Sequence, residues 1–182
     1  MKKLVALSAI GKDRPGIVAA LSKVFFETGC NLEDSSMTRL RGDFAILLLV
    51  QLSEASGLVS LKKSLEAAAK EWGLTISIRE LSVEEEGQKS GTAALPFTLV
   101  VYGLDHPGIV FRVAQAAADE GINIIDLRTH MTSSKGVPIY SLIMEVEIPG
   151  QAMVAPFMEI LEHLKKELKV EINLTPVEAD EL

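Results

Sequence analysis

One cysteine, Cys30, stands among 182 residues, so the chain has no intrachain disulfide available to it. Aromatic residues make up only 5%, and 18 Lys+Arg face 25 Asp+Glu, a formal charge of −7. A chain of that sign repels phosphate backbones, and no basic patch offsets it, so no direct nucleic-acid binding is expected. No apolar run approaches the roughly 20 residues of a membrane-crossing helix, and no membrane partner is expected. Met1-Lys2-Lys3 before Leu4 to Ile10 imitates a secretory signal. The apolar stretch is too short, however, and charged Lys12-Asp13-Arg14 follow with no small-residue cleavage site. The cytoplasm is the expected compartment. Metal-ligand spacings of His, Cys and carboxylate are missing too, as is a Gly-Lys-Ser/Thr phosphate loop, so neither a metal nor a cofactor is expected. What is present is 48% hydrophobic and 24% charged residues, the balance of a globular protein of one ordinary domain or two small ones.

The chain repeats itself. Gly11-Lys12-Asp13-Arg14-Pro15-Gly16-Ile17-Val18 returns 92 positions later as Gly103-Leu104-Asp105-His106-Pro107-Gly108-Ile109-Val110. Gly29-Cys30-Asn31-Leu32-Glu33-Asp34 returns at the same offset as Gly121-Ile122-Asn123-Ile124-Ile125-Asp126. From Phe44 to Leu52 the offset becomes 96, matching Tyr140 to Ile148, with the extra residues placed around Ser133 to Gly136 at a hairpin tip. Such periodicity makes the chain two copies of one unit.

The two copies read alike. Leu4 to Ile10 and Phe97 to Tyr102 are apolar and β-rich first strands. Ile17, Val18, Leu21, Val24 and Phe25 fall at helical spacing, as do Ile109, Val110, Val113, Ala116 and Ala117; Gly29 and Gly121 end these helices. Strands follow over 31–40 and 123–132, returning over 44–52 and 137–148. Leu58, Leu61, Leu65, Ala68 and Trp72 form one apolar helical stripe, repeated by Val154, Phe157, Leu161, Leu164 and Leu168. Alternating Leu74, Ile76, Ile78 and Val170, Ile172, Leu174 close each copy. The expected fold is therefore α+β: two tandem ferredoxin-like βαββαβ domains, each an antiparallel sheet with both helices on one face. Their bounds are 1–83 and 95–182, with a polar linker over 84–94. Units of about 80 residues bury a core only marginally alone, so the copies are expected to pair with each other or with another chain, and a homo-oligomer is expected.

The turns Asp13-x-Pro15-Gly16 and Asp105-x-Pro107-Gly108 carry the strongest chemical signal. Proline suits a first helical position, and a neighbouring glycine lets a ligand approach the backbone. Free N–H groups and the positive dipole end of the helix suit a carboxylate. The aspartate can cap the helix or hold an ammonium, and Asn31 and Asn123 offer both a donor and an acceptor. The same residues are also ordinary helix-start and turn chemistry, and Asp34 and Asp126 read equally as exposed strand residues.

The Gly-x-Asp-x-Pro-Gly-Ile-Val turn, with Gly-x-Asn-Leu/Ile after the first helix, resembles the ACT domain, an amino-acid-sensing regulatory module. The resemblance covers both copies. It implies small-ligand sites between paired modules, near the first strand–helix loop and the start of the second strand. Carried over by position, these are Gly11, Asp13, Arg14, Pro15, Gly16 and Asn31, with Gly103, Asp105, His106, Pro107, Gly108 and Asn123. Two such modules without another domain resemble the glycine cleavage transcriptional repressor group. That implies an amino acid such as glycine or serine as ligand, and a transcriptional activator as protein partner. The copies are not equivalent: Arg14 becomes His106, and Ala19-Ala20 becomes Phe111-Arg112.

An enzyme is not expected. Asp105-His106 lacks a histidine counterpart in the first copy, and adjacent side chains point apart. His130 and His163 read as ordinary strand and helix residues, Cys30 as a small packed one, and Trp72 as core. Two alternatives stay open beside the transcriptional regulator. One is a regulatory subunit of an amino-acid or one-carbon metabolic enzyme; the other is a scaffold without ligand. The pattern also resembles the N-terminal part of formyltetrahydrofolate deformylase, whose long hydrolase domain is not expected here.

Overall fold

A computed structural model describes residues 3–52, 57–82, 94–134 and 137–177. Contacts divide the chain into two compact units, 1–89 and 90–182. The first unit runs β1 (Leu4–Lys12), α1 (Ile17–Glu27), β2 (Asn31–Leu40), β3 (Asp43–Gln51), α2 (Gly57–Trp72) and β4 (Leu74–Glu80). The second runs β5 (Leu95–Leu104), α3 (Ile109–Asp119), β6 (Asn123–Ser134), β7 (Val137–Ile148), α4 (Gln151–Leu168) and β8 (Val170–Pro176). Each is the expected βαββαβ unit, and each sheet is antiparallel, in the orders β2-β3-β1-β4 and β6-β7-β5-β8. Of the linker reading over 84–94, all but Ala94 lies outside the described residues.

Alternation decides which sheet face is covered. Val5, Leu7 and Ala9 of β1 and Phe44, Ile46, Leu48 and Val50 of β3 are buried against Ile17, Leu21, Leu61 and Leu65 of the two helices. The second unit repeats this with Leu99, Val101, Leu142, Met144 and Phe157. Trp72 packs against the edge of the first core, as its place on the stripe predicts. Full burial of a side chain such as Leu61 stabilises its unit by about 1.5–3 kcal/mol.

Both first helices end in the same motif. Gly29 and Gly121 adopt φ of 65° and 67°. Cys30 N–H then donates to the Phe25 carbonyl at 2.9 Å, and Gly29 N–H to that of Phe26 at 3.1 Å. Ile122 and Gly121 do the same toward Ala117 and Ala118, at 2.8 and 3.0 Å. These bonds satisfy carbonyls that a helix end otherwise leaves open, and they need the left-handed glycine. Helix exit is thereby fixed, so Asn31 and Asn123 become the first residues of β2 and β6.

The four extra residues of the second copy lengthen its hairpin ladder. The β6–β7 register runs to Ser134 opposite Val137, whereas β2 and β3 end at Leu40 opposite Asp43. Residues 135–136, where a tip insertion was expected, lie outside the described residues.

Each sheet also has a face without helices. In the first unit it is built of the rows Thr38–Ala45–Ile10–Thr75, Ser36–Leu47–Ser8–Ser77 and Asp34–Leu49–Ala6–Arg79. The equivalent second-unit face carries Asp126, Arg128, His130, Glu145 and Glu171.

Candidate ligand-binding site

The helix-start reading needs correction in its details. Pro15 and Pro107 do not open the helices; each stands in the preceding turn, and α1 and α3 begin at Ile17 and Ile109. Gly16 and Gly108 occupy the N-cap positions with φ of 101° and 102°, and their carbonyls accept from Ala20 and Arg112 at 2.8 and 2.9 Å. Those dihedrals match the third residue of a type II turn, which favours proline before it and glycine in place. A proline-first helix was overridden because a turn needing positive φ takes its glycine from the same dipeptide. Nor does aspartate cap either helix: neither N-cap has a side-chain hydrogen bond.

Asp13 is held elsewhere. Its N–H donates to the Gly42 carbonyl at 2.9 Å, and its carboxylate takes Arg39 Nη1 at 3.3 Å. Lys12 pairs with Asp43 at 2.6 Å, so the end of β1 and the first turn are tied to the β2–β3 hairpin at three points. Asp105 has no ion pair among the described residues. Tyr140, at the position of Phe44, has its phenol pushed up by burial, with the Asp105 charge adding to it against a Thr129 hydrogen bond.

Arg14 and His106 share a task that their different chemistries conceal. Arg14 Nη2 donates to the Glu71 carbonyl at 3.0 Å, and its guanidinium lies 4.5 Å over the Trp72 ring. His106 sets Nε2 2.8 Å from the Leu168 carbonyl oxygen and Nδ1 3.1 Å from that of Pro107. Each residue joins the turn to the C-terminal end of the second helix, where free carbonyls and the dipole favour a cation. Those carbonyls, Leu168 first and then Pro107, raise the imidazole pKa above its ordinary 6.5.

The glycines are packing positions as well. A Cβ on Gly11 would stand 2.7 Å from Leu74 Cδ2 and 2.8 Å from the Gly73 carbonyl oxygen. On Gly103 it would meet Val170 Cγ1 at 2.8 Å, and on Gly16 the Trp72 ring at 2.7 Å. On Gly108 it would meet nothing, so only the backbone conformation calls for glycine there.

Within a unit, the turn and the asparagine stand apart. Asn31 lies opposite Gln51, which lies opposite Leu4 at the start of β1, while the turn follows Lys12 at the other end. The strand between them spans roughly 26 Å at about 3.3 Å per residue. Asn123, opposite Glu147 and level with Pro96, is separated from its own turn in the same way. Asn31 is exposed; Asn123 Nδ2 approaches Glu147 Oε2 at 3.5 Å.

Sequence reasoning missed a groove of about 550 Å³ between α1 and α2. Gly16, Ala19, Ala20, Ser64, Ala67 and Trp72 are among the residues that line it. The signal was available: Phe111, Arg112, Ile160 and His163 stand at four of those places in the second copy, and Arg112 there pairs with Glu167 at 2.8 Å. A second cleft, about 520 Å³, runs beside Gly103 and Tyr102 and takes in Lys165, Lys166 and Lys169. The Glu171 carboxylate, which bonds Lys165 at 2.7 Å, raises that ammonium's pKa. Among the described residues, no group of three or more His, Cys, Asp or Glu side chains is placed to hold a metal ion. No helix among them is long and apolar enough to cross a membrane.

The family model for the ACT domain matches residues 3–79. A UPF0237 protein of Methanopyrus kandleri is 44% identical over 78 residues, which is 42% of this chain and 87% of that protein. The chain belongs to the ACT-domain family. Its ACT modules are regulatory in kind, and the second is recognised by the repeat and by its matching topology. A crystal structure of an unknown protein from Galdieria sulphuraria superposes with a TM-score of 0.83 at 29% identity, covering 98% of this chain and all (100%) of that one. A second crystal structure superposes with a TM-score of 0.72 over 98% of this chain and 99% of its own. Its assignment as a glycine cleavage system transcriptional repressor is provisional, and at 20% identity it shows the tandem ACT fold alone.

Proposed function

We propose that this tandem ACT protein is a non-catalytic sensor of a small amino acid, glycine or serine. It binds that ligand at interfaces between modules and regulates transcription through a protein partner, an activator, rather than by touching DNA. The observation that carries this reading is the division of chemistry between the two ends of each module. At one end, a helix begins at Gly16 or Gly108 without a side-chain cap, so its first N–H groups suit a ligand carboxylate. At the other end, Asn31 or Asn123 opens the edge strand and offers its carboxamide to an ammonium. A ligand a few ångströms long spans both only when the turn of one module meets the asparagine of another.

The turns are unequal candidates. Arg39 already neutralises Asp13, whereas Asp105 has no such partner among the described residues, so the second turn is the better ammonium holder. Ligand binding then shifts partner binding by the difference in affinity between the free and assembled states, and by no more than that. A net charge of −7 suits a protein partner in the cytoplasm better than nucleic acid.

Calorimetric titration with the twenty amino acids, glycine and serine first, tests the reading on the wild type, Asp105→Asn and Asn31→Ala. Saturable binding of one amino acid, weakened in both variants, supports it. Absence of binding by the well-folded protein sinks it and leaves a scaffold. Proteins recovered with the tagged chain distinguish an activator from a metabolic enzyme as the partner.

A further inference from the structure

The helix-free sheet face of the first unit has an internal pattern that the second unit lacks. Its central strands are β3 and β1, and each cross-strand row sets a large aliphatic side chain beside a small one. Leu47 lies opposite Ser8, Leu49 opposite Ala6, and Ile10 opposite Ala45. Ile10 and Leu47 are each 54% exposed. One row ends in opposite charges, Asp34 on β2 at one edge and Arg79 on β4 at the other.

We infer that this face is covered by the same face of a second copy of the chain, about a two-fold axis parallel to the strands and lying between β3 and β1. That operation reverses the strand order and keeps the rows level, so β3 of one copy lies over β1 of the other. Leu47 then falls over the other copy's Ser8, Leu49 over its Ala6 and Ile10 over its Ala45. Each large side chain meets a small one twice, once on each side of the axis. Asp34 comes over the other copy's Arg79, and Arg79 over its Asp34. Facing sheets pack at about 10 Å with aligned strands twisted by about 30°, which preserves such a register best at the centre, where the large and small pairs are.

Two alternatives fit the pattern worse. An axis perpendicular to the strands sets Leu47 on Leu47 and leaves Asp34 and Arg79 over threonines. The second unit's face, under the same operation as the first, places Glu145 on a central strand over Thr98, a buried carboxylate without a cation. A surface that complements itself in volume and in charge is what an isologous interface requires. Burial of this face is independent of the amino-acid reading, because the axis superposes like ends of the modules and joins no turn to an asparagine.

Sedimentation velocity of the full chain gives the first readout. The wild type is expected to form a dimer, and Leu47→Asp, on a face without helices, a folded monomer. Asp34→Arg and Arg79→Asp are each expected to raise the dimer Kd about tenfold or more, and the double exchange to restore it. In a Cys30→Ser background, chains carrying Ser8→Cys mixed with chains carrying Leu47→Cys are expected to cross-link between copies through a short bis-maleimide. A monomer at every concentration overturns the inference. So does a dimer unmoved by the charge exchanges and not joined by the cross-linker. The exchanges remain informative if Leu47→Asp fails to fold, and loss of amino-acid binding has no bearing on any of these outcomes.

Discussion

His106 Nε2 lies 2.8 Å from the carbonyl oxygen of Leu168, and this bond ties the second turn to the end of α4. Nδ1 is 3.1 Å from the Pro107 carbonyl oxygen. Both partners only accept, so a neutral ring can donate to one of them and an imidazolium to both.

That asymmetry predicts a pH dependence. The folded pKa is raised above 6.5 by the Leu168 and then the Pro107 carbonyl. A raised pKa contributes stability that is fully present below the unfolded value and is lost as pH rises through the folded one. Melts of the full chain from about pH 5.5 to 8.5 are expected to show the second unit losing stability above the ordinary histidine pKa. His106→Gln, which keeps one bond and cannot titrate, is expected to remove that slope. An unchanged slope in the variant would show that the dependence comes from another group.

Gly16 and Gly108 share one backbone conformation but differ in surroundings, so alanine separates the two causes. Either substitution carries a left-handed penalty of about 1 kcal/mol. Gly16→Ala also drives a methyl to 2.7 Å from the Trp72 ring. Overpacking of that kind costs a further 1–3 kcal/mol or so. Urea titrations are expected to rank Gly16→Ala as clearly more harmful than Gly108→Ala, and equal losses would refute the contact with Trp72.

Arg14 predicts a failed conservative exchange. Its guanidinium stacks on Trp72 while one arm reaches the Glu71 carbonyl, and a lysine cannot do both. Arg14→Lys and Arg14→Ala are expected to lose similar amounts, about 1 kcal/mol, since the site is exposed. The emission of Trp72, the one tryptophan in the chain, reports the loss of stacking directly. Full stability in Arg14→Lys would reduce the interaction to simple charge.

The fold was legible because every local signal occurred twice. The stripe of Leu58 to Trp72 and that of Val154 to Leu168 could not both be accidental, and Gly29 and Gly121 stop their helices as glycine in that place should. The site was less legible. Asp13, Pro15 and Gly16 look in sequence like a helix cap, yet Arg39, distant in the chain, takes the aspartate, and the turn uses the glycine. Arg14 and His106 share no chemistry that a sequence comparison rewards, and only the carbonyls of Glu71 and Leu168 show their common role. The separation of Asn31 from its own turn was implicit in the strand order, because the two lie at opposite ends of β1, which spans roughly 26 Å at about 3.3 Å per residue.

That separation yields the sharpest test of ligand binding. If the site joins one module's turn to another's asparagine, then Asp105→Asn is expected to couple with Asn31→Ala. It is expected to add independently with Asn123→Ala, which lies at the far end of the same sheet. Binding energies of the wild type, three single variants and two doubles complete both cycles, and contacting groups typically couple by about 0.5–3 kcal/mol while distant ones add. Coupling of Asp105 with Asn31 would mark those two as one site, whether their modules belong to one chain or to two. Mixing chains that carry Asp105→Asn with chains that carry Asn31→Ala then decides between these. Within one chain, each variant spoils its own site and mixing restores nothing. Between chains, exchange of subunits creates some sites with both groups intact, and part of the binding returns. Coupling of Asp105 with Asn123 instead would mean that the second modules of two chains meet, because the register of β5, β6 and β7 keeps the two ends of one module apart.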